Sequence, residues 1–303
     1  MINIGFFGVG SYLTSQPYIN NGIKSRFSFN IFSSANEAGA LDDIAQDVSI
    51  YTDIQDFTKN VDKVIVDNPK GENIFNHLTY FIKNSLDILL LQIYYLDVQQ
   101  ARTLLKLSSE ADTQLYAGSE HLFHPVFVTS LEKEKASLFI EFNRRYGRTK
   151  QNIPQERLLQ WLTDDLSMIL YAAHSPVRRF FASGANIFTR HIDLVQARVE
   201  FQNGDTANLF LGPEIDREEQ RITFYQSKKI IPLNLLDEQM DLPQKANDFV
   251  LPMSVGRKTL IEAFLHNFIT GTSSSTNLPR MDETWYESLK LAREIVGRIT
   301  RYY

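Results

Sequence analysis

The first 120 or so residues alternate two textures, and this alternation limits what the chain can become. Short apolar runs at Ile2–Phe7, Phe27–Phe32, Val64–Val66, Ile88–Leu91 and Gln114–Ala117 read as strands. Between them lie amphipathic segments such as Asn73–Lys83 and Val98–Leu107, which read as helices. Asp97 followed three residues later by Gln100 forms a capping box at the start of the second. Strands that are apolar on both faces must be covered on both sides. Alternating them with helices therefore predicts a parallel sheet in an α/β unit.

Beyond about residue 125 the pattern changes. Leu138–Tyr146 reads as a strand, and Gln155–Ala173 as a helix opened by Pro154, with Leu158, Leu162, Leu166 and Ile169 at helical spacing. Val195, Ala197, Val199 and Phe201 alternate with polar residues, and Ala207, Leu209 and Leu211 return after Asn203-Gly204. That dipeptide predicts a hairpin with a type I′ turn. Ile222 and Phe224 begin a further strand. One polar face per strand predicts a mostly antiparallel sheet with one face open or covered by a second subunit. Two helices, Lys258–Thr270 and Asp282–Arg301, close the chain.

Composition narrows the chemistry. The 303 residues suit two domains. There is no cysteine, which excludes a disulfide scaffold, a thiolate nucleophile and Cys-ligated metal. Acids exceed bases, 36 to 31, which argues against a nucleic-acid partner. No run nears the roughly 18 apolar residues that cross a bilayer. The apolar N-terminus, with Lys24 its first basic residue, reads as a strand and not a signal peptide. The expectation is a cytoplasmic protein without a membrane partner. His121 and His124 have metal spacing, but no third ligand accompanies them, so no metal site is expected.

The first strand runs into Gly8-Val9-Gly10-Ser11-Tyr12-Leu13, a G-x-G-x-x-G fingerprint whose last glycine is Leu13. The first glycine permits the tight turn, and the second lets a pyrophosphate approach the amide groups that open a helix. Further segments extend the pattern. Val61–Pro69 resembles a D-x-V-x-I-x-T-P strand, Gly118–Pro125 a G-x-x-x-R-x-x-P loop, and Val199–Leu211 a sheet hairpin with N-G. Tyr94–Leu105 fits the segment after an E-K-P motif, and Phe264–Gly271 fits F-x-x-x-I-x-x-G. In order and spacing these resemble the Gfo/Idh/MocA family over nearly the whole length.

The resemblance implies a Rossmann dinucleotide-binding domain at residues 1–122, followed by an α+β domain at 123–303 with an open, mostly antiparallel sheet. It implies NAD or NADP, a sugar-like or hydroxyl-bearing substrate, and a homo-oligomer formed through the second sheet. Cofactor contacts would fall on Gly8, Gly10, Ser11, Tyr12, Ser33, Ser34, Asn68 and Pro69. Ser33 and Ser34 stand where an acid normally accepts the ribose 2′-hydroxyl of NAD.

The chemistry positions depart from the family's pattern. The E-K-P triplet falls on Leu91-Gln92-Ile93, so the family's lysine becomes Gln92. Glutamine hydrogen-bonds a hydroxyl but exchanges no proton near neutrality. The D-x-x-x-H-x-x-D helix motif falls on Leu158, Leu162 and Asp165, leaving Asp165 with Asp164 as solvated, capping or substrate-contacting groups. Glu120, His121 and His124 add titratable groups in the loop where the family's Arg becomes Leu122. They form either a replacement proton relay or a solvated hinge. Three readings thus stand open: an NAD(P)-dependent oxidoreductase with a degenerate catalytic site, a non-catalytic nucleotide-binding or assembly/regulatory module that keeps the fold, and between them a small-molecule sensor that binds a nucleotide without turnover.

Overall fold

The structure is a computed structural model. It describes residues 2–8, 27–32, 48–66, 73–91, 93–117, 122, 127, 139–147, 154–214, 218–227, 229–236, 268 and 284–302. The chain divides into two compact units, residues 1–118 with 264–274, and residues 119–263 with 275–303.

The first unit holds a six-stranded parallel sheet in the order β3-β2-β1-β4-β5-β6. Its strands are β1 (Ile2–Phe7), β2 (Phe27–Phe32), β3 (Val48–Tyr51), β4 (Lys63–Val66), β5 (Asp87–Leu90) and β6 (Leu115–Ala117). The described helices are α1 (Ile54–Lys59), α2 (Ile74–Lys83) and α3 (Val98–Glu110). The expected capping box on α3 is present: Gln100 N–H donates to Asp97 at 2.8 Å and Asp97 N–H to the Gln100 side chain at 3.0 Å. Ile4, Val64, Val66, Ile88, Leu89 and Leu90 are buried, as a doubly covered sheet requires. Strand β3 has no sequence signal, because it is a four-residue edge strand with Ile50 exposed.

At the amino ends of the strands, Lys63 binds Asp87 at 3.1 Å and donates to the Phe268 carbonyl at 3.0 Å. Its ammonium lies 5.1 Å from the centre of the Phe268 ring.

The second unit holds a mixed six-stranded sheet, ordered β12-β11-β7-β10-β9-β8. The strands are β7 (Phe139–Gly147), β8 (Val177–Ala185), β9 (Leu194–Phe201), β10 (Thr206–Glu214), β11 (Glu219–Gln226) and β12 (Lys229–Asn234). Only β7 and β10 pair parallel. The helices α4 (Gln155–Ala173) and α5 (Thr284–Ile299) belong to this unit. The buried face carries Ile140, Phe142, Val195, Ala197, Val199, Leu209, Leu211, Ile222 and Phe224. Strand β8 escaped the sequence reading because Arg178, Arg179, Ser183 and Gly184 break its alternation. Strand β12 escaped because Pro232 interrupts it, as an edge strand allows. The first of the two closing helices expected, Lys258–Thr270, falls outside the described residues apart from Phe268.

The hairpin forms, but with a different turn. Gly204 N–H donates to the Phe201 carbonyl at 3.2 Å, and Phe201 N–H to the Asp205 carbonyl at 3.0 Å. The loop is three residues long, and only its Gly204 takes positive φ, at 94°. This is the longer loop that ends in a left-handed glycine, not the two-residue type I′ turn. Asn203 is spent elsewhere: its amide donates to the Ala173 carbonyl at 3.1 Å and to Asp205 at 2.8 Å, tying the turn to the end of α4.

On the opposite face, Glu200 receives Arg178 and Arg179, each at 2.6 Å, and Arg198 at 3.3 Å. Hydrogen bonds from Arg179 and then Arg178 hold the Glu200 carboxyl down at about 2. A depressed carboxyl stabilises the fold above its unfolded value of roughly 4.3 and loses that contribution as pH falls through the folded value. We therefore expect Glu200→Gln to lower the unfolding midpoint at pH 6. The gap to the native protein should close between about pH 4.3 and pH 2. Denaturant unfolding across that range tests this; a gap independent of pH would show that the carboxylate charge is not responsible.

Candidate functional site

In the first unit the candidate site lies at the carboxyl end of β1. Phe7 is in register with Phe32 of β2 and with Val66 of β4, so three strands end side by side. Connections run one way through β2 and β3 and the other way through β5 and β6, so the strand order reverses between β1 and β4. Ligands of open parallel sheets bind at such a reversal, beyond the carboxyl ends. Gly8 follows β1 directly with φ at 90°, a conformation that glycine adopts without penalty. This is the tight turn expected of the first fingerprint glycine.

Beneath that turn the Phe7 ring lies 5.0 Å from Phe32, 4.8 Å from His77 of α2 and 5.3 Å from Phe81. Burial lowers the pKa of His77, which favours the neutral ring. The sequence offered no reason to single out His77, since only the packing of α2 brings it to the end of β1.

Of the other residues expected to contact a cofactor, Gly10, Ser11, Tyr12, Ser33, Ser34, Asn68 and Pro69 lie outside the described residues. So do Gln92, Glu120, His121 and His124. Tyr94 and Tyr95, just after Gln92, have their ring centres 4.4 Å apart with the planes tilted by 33°.

In the second unit, Asp165 is fully buried on α4 and neither solvated nor capping. Arg144 of β7 grips it at two points, Nε to Oδ2 at 2.8 Å and a terminal nitrogen to Oδ1 at 2.5 Å. Burial pushes the Asp165 pKa up, and the Arg144 charge opposes that shift. Arg144 also lies 5.7 Å from the Trp161 ring, whose far neighbours are Arg157 at 5.3 Å and Tyr146 at 5.1 Å. The Tyr146 hydroxyl donates to the Asp193 carbonyl, and burial raises its pKa.

Arg144 was missed, although a signal existed. Ile140, Phe142, Arg144 and Tyr146 alternate along β7 toward the buried face, and a charge at such a position demands a buried partner. Leu158, Leu162 and Leu166 are 2%, 0% and 0% exposed, so the position given to the family's histidine is a core leucine.

No family model matches the chain, and no curated protein matches its sequence. Solved structures do match it. UDP-N-acetylglucosamine 3-dehydrogenase GnnA from Acidithiobacillus ferrooxidans superposes with a TM-score of 0.81 at 14% identity, covering 99% of this chain and 98% of that one. A myo-inositol dehydrogenase from Corynebacterium glutamicum gives 0.75 at 15% identity, over 99% and 97%. GenD2 from gentamicin A biosynthesis, solved in complex with NAD, gives 0.72 at 13% identity, over 98% and 94%.

The chain has the fold of these dehydrogenases.

They are of the Gfo/Idh/MocA type, so the fold read from the motifs is the fold observed: a Rossmann-like parallel sheet and a second, mostly antiparallel mixed sheet. At identities this low the likeness establishes architecture, and the site must be argued from its own residues. Among the described residues, no helix is long and apolar enough to cross a membrane.

Proposed function

We propose that this chain binds NAD or NADP where the strand order reverses, and uses it to oxidise or reduce a sugar-like, hydroxyl-bearing small molecule. The observation that carries the reading is Gly8 at φ 90°, standing at the end of β1 in a sheet ordered β3-β2-β1-β4-β5-β6. A residue without Cβ in that turn leaves the backbone open to a pyrophosphate, so the described part of the site fits the group.

Gly8, Gly10, Ser11 and Tyr12 would hold the diphosphate, Ser33 and Ser34 the adenosine ribose, and Asn68 with Pro69 the wall beside β4. The bound cofactor would supply a nicotinamide that accepts or gives a hydride. The chain's own part is to orient the hydroxyl and move its proton. Gln92 can hold the hydroxyl but not take the proton; His121 and His124, with Glu120, are the groups suited to exchange near neutral pH. The GnnA, inositol dehydrogenase and GenD2 folds support this class of chemistry.

The test is a titration with NADH and NADPH, followed by fluorescence and melting temperature. Binding should raise stability by about 2.7 kcal/mol at 100 times Kd. No shift with either cofactor at millimolar concentration would reject the reading. If one binds, turnover of a sugar panel by the native protein, lost in Gln92→Ala, would establish catalysis.

The core position of Leu162 favours a second reading, in which the fold is kept for binding or assembly without turnover. It predicts cofactor binding with no turnover of any substrate, even in Gln92→Lys.

A homo-oligomer is also proposed, through the face of the second sheet that carries Arg198, Glu200 and the half-exposed Phe181. A monomer by light scattering at micromolar concentration would refute it. A cytoplasmic setting fits this reading.

A further inference from the structure

The second unit contains a recess that neither the nucleotide nor the catalytic reading uses. It is a half-open cleft of about 200 Å³ between the amino end of α4, the β8–β9 loop and the carboxyl end of α5. Gln155, Asn186, Arg190, His191 and Thr300 supply its polar wall, and Leu158 is part of an apolar floor. Among the described residues, none that lines it is acidic.

Its lining carries positive charge. Arg144, Arg145, Arg178, Arg179 and Arg198 are each matched to a carboxylate. Arg190 lines the recess, and its guanidinium has no carboxylate partner among the described residues. His191 beside it adds two ring nitrogens that donate when protonated. The 19-residue α4 directs its positive end here, with no side chain capping it.

The wall is also built in advance. The buried Asp193 carboxylate accepts the backbone N–H groups of Ile187, Phe188 and Thr189 at 2.7, 2.8 and 2.9 Å. The Thr189 hydroxyl donates to the His191 carbonyl at 2.8 Å. A loop held this way presents Arg190 and His191 without first having to be ordered, which lowers the entropic cost of binding.

We propose that this recess is a second ligand site, for a compact oxyanion carried on a short carbon skeleton. The unmatched Arg190 and His191 select the negative charge, the amides of Gln155 and Asn186 hydrogen-bond the remaining polar atoms, and the apolar floor takes the carbon chain. The volume is below the range of pockets that hold drug-sized molecules, roughly 300–1,000 Å³, which excludes a dinucleotide.

The experiment uses the full chain and three probes: glycerol 3-phosphate, inorganic phosphate and lactate. Binding is read by calorimetry and by the His191 ring signals in NMR, at constant ionic strength. Arg190→Gln and His191→Gln change exposed side chains, and Arg301→Gln serves as a charge control. The expected result is saturable binding of glycerol 3-phosphate that moves the His191 signals. It should weaken at least tenfold in Arg190→Gln and stay unchanged in Arg301→Gln. Tighter binding of glycerol 3-phosphate than of inorganic phosphate would confirm the role of the floor, and tighter binding of lactate would assign the site to carboxylates. No saturable binding of any probe at 10 mM, or equal binding by Arg190→Gln, overturns the proposal. Neither outcome bears on the nicotinamide reading, which is tested by the cofactor titration.

Discussion

Replacing Asp165 with asparagine should destabilise the second unit by about 3–5 kcal/mol, the cost of stranding one member of a buried ion pair. Asp165 is 0% exposed, and its partner Arg144 is only 11% exposed at the side chain. The substitution leaves the guanidinium beside Trp161 without the carboxylate that holds it at two points. At about 2–4 °C per kcal/mol for a unit of this size, the melting temperature should fall by roughly 10 °C. Arg144→Met should cost a similar amount. The double variant Arg144→Met with Asp165→Leu should cost clearly less than either single change, because it removes both members of the pair. Thermal unfolding of the four proteins measures the coupling. Single variants that cost under 1 kcal/mol would show that water reaches the pair. The arrangement locks α4 to β7 by charge.

The second large effect concerns the first unit. Phe57→Ala should cost about 3–5 kcal/mol, as for other fully buried aromatic rings. The Phe57 ring is 0% exposed and lies 5.7 Å from Phe32, 6.1 Å from Tyr51 and 6.2 Å from Phe81. It also fills the space over Gly5 of β1, where a Cβ would stand 2.5 Å from its Cζ. Gly5→Ala alone should therefore cost about 1–3 kcal/mol through overpacking. In the Phe57→Ala background the same change should cost clearly less, since the methyl group enters the vacated space and its remaining close neighbour is Val61 Cγ1 at 3.0 Å. Additive costs in denaturant unfolding would refute this complementarity. The packing matters for function because β1 ends at Gly8, and α1 holds that strand from below.

Much of the fold was legible from local patterns. The strands β1, β4, β5 and β6 are short, mostly apolar runs, β2 alternates Phe27, Phe29 and Ile31 with Ser28 and Asn30, and the capping box of α3 is written in two residues. Helix α4 runs over Gln155–Ala173, the span its leucine spacing indicated. What was illegible was decided at edges and by long-range pairing. Strands β3, β8 and β12 lie at sheet edges, where one side of the strand meets no partner and the apolar pattern is relaxed. The N-G hairpin kept its place but not its turn, because Asn203 bonds to Ala173 and Asp205 and gives up the left-handed role.

The candidate site divides the same way. Gly8 was readable because a glycine directly after a strand has a local conformational reason to be there. Asp165 was readable as a charge on an apolar helix, but its meaning was not, since its partner lies 21 residues earlier on another element. Arg190 and His191 carried no signal at all; only the closure of the β8–β9 loop by Asp193 brings them to one wall.

By itself, then, the alternation of the first 120 residues determined a parallel α/β unit, because hydrogen bonding and the burial of both sheet faces permit little else. The tertiary structure alone decided which charges meet. Whether a carboxylate is a free acid or half of an ion pair depends on what stands within about 3 Å of it, and sequence separation does not encode that distance.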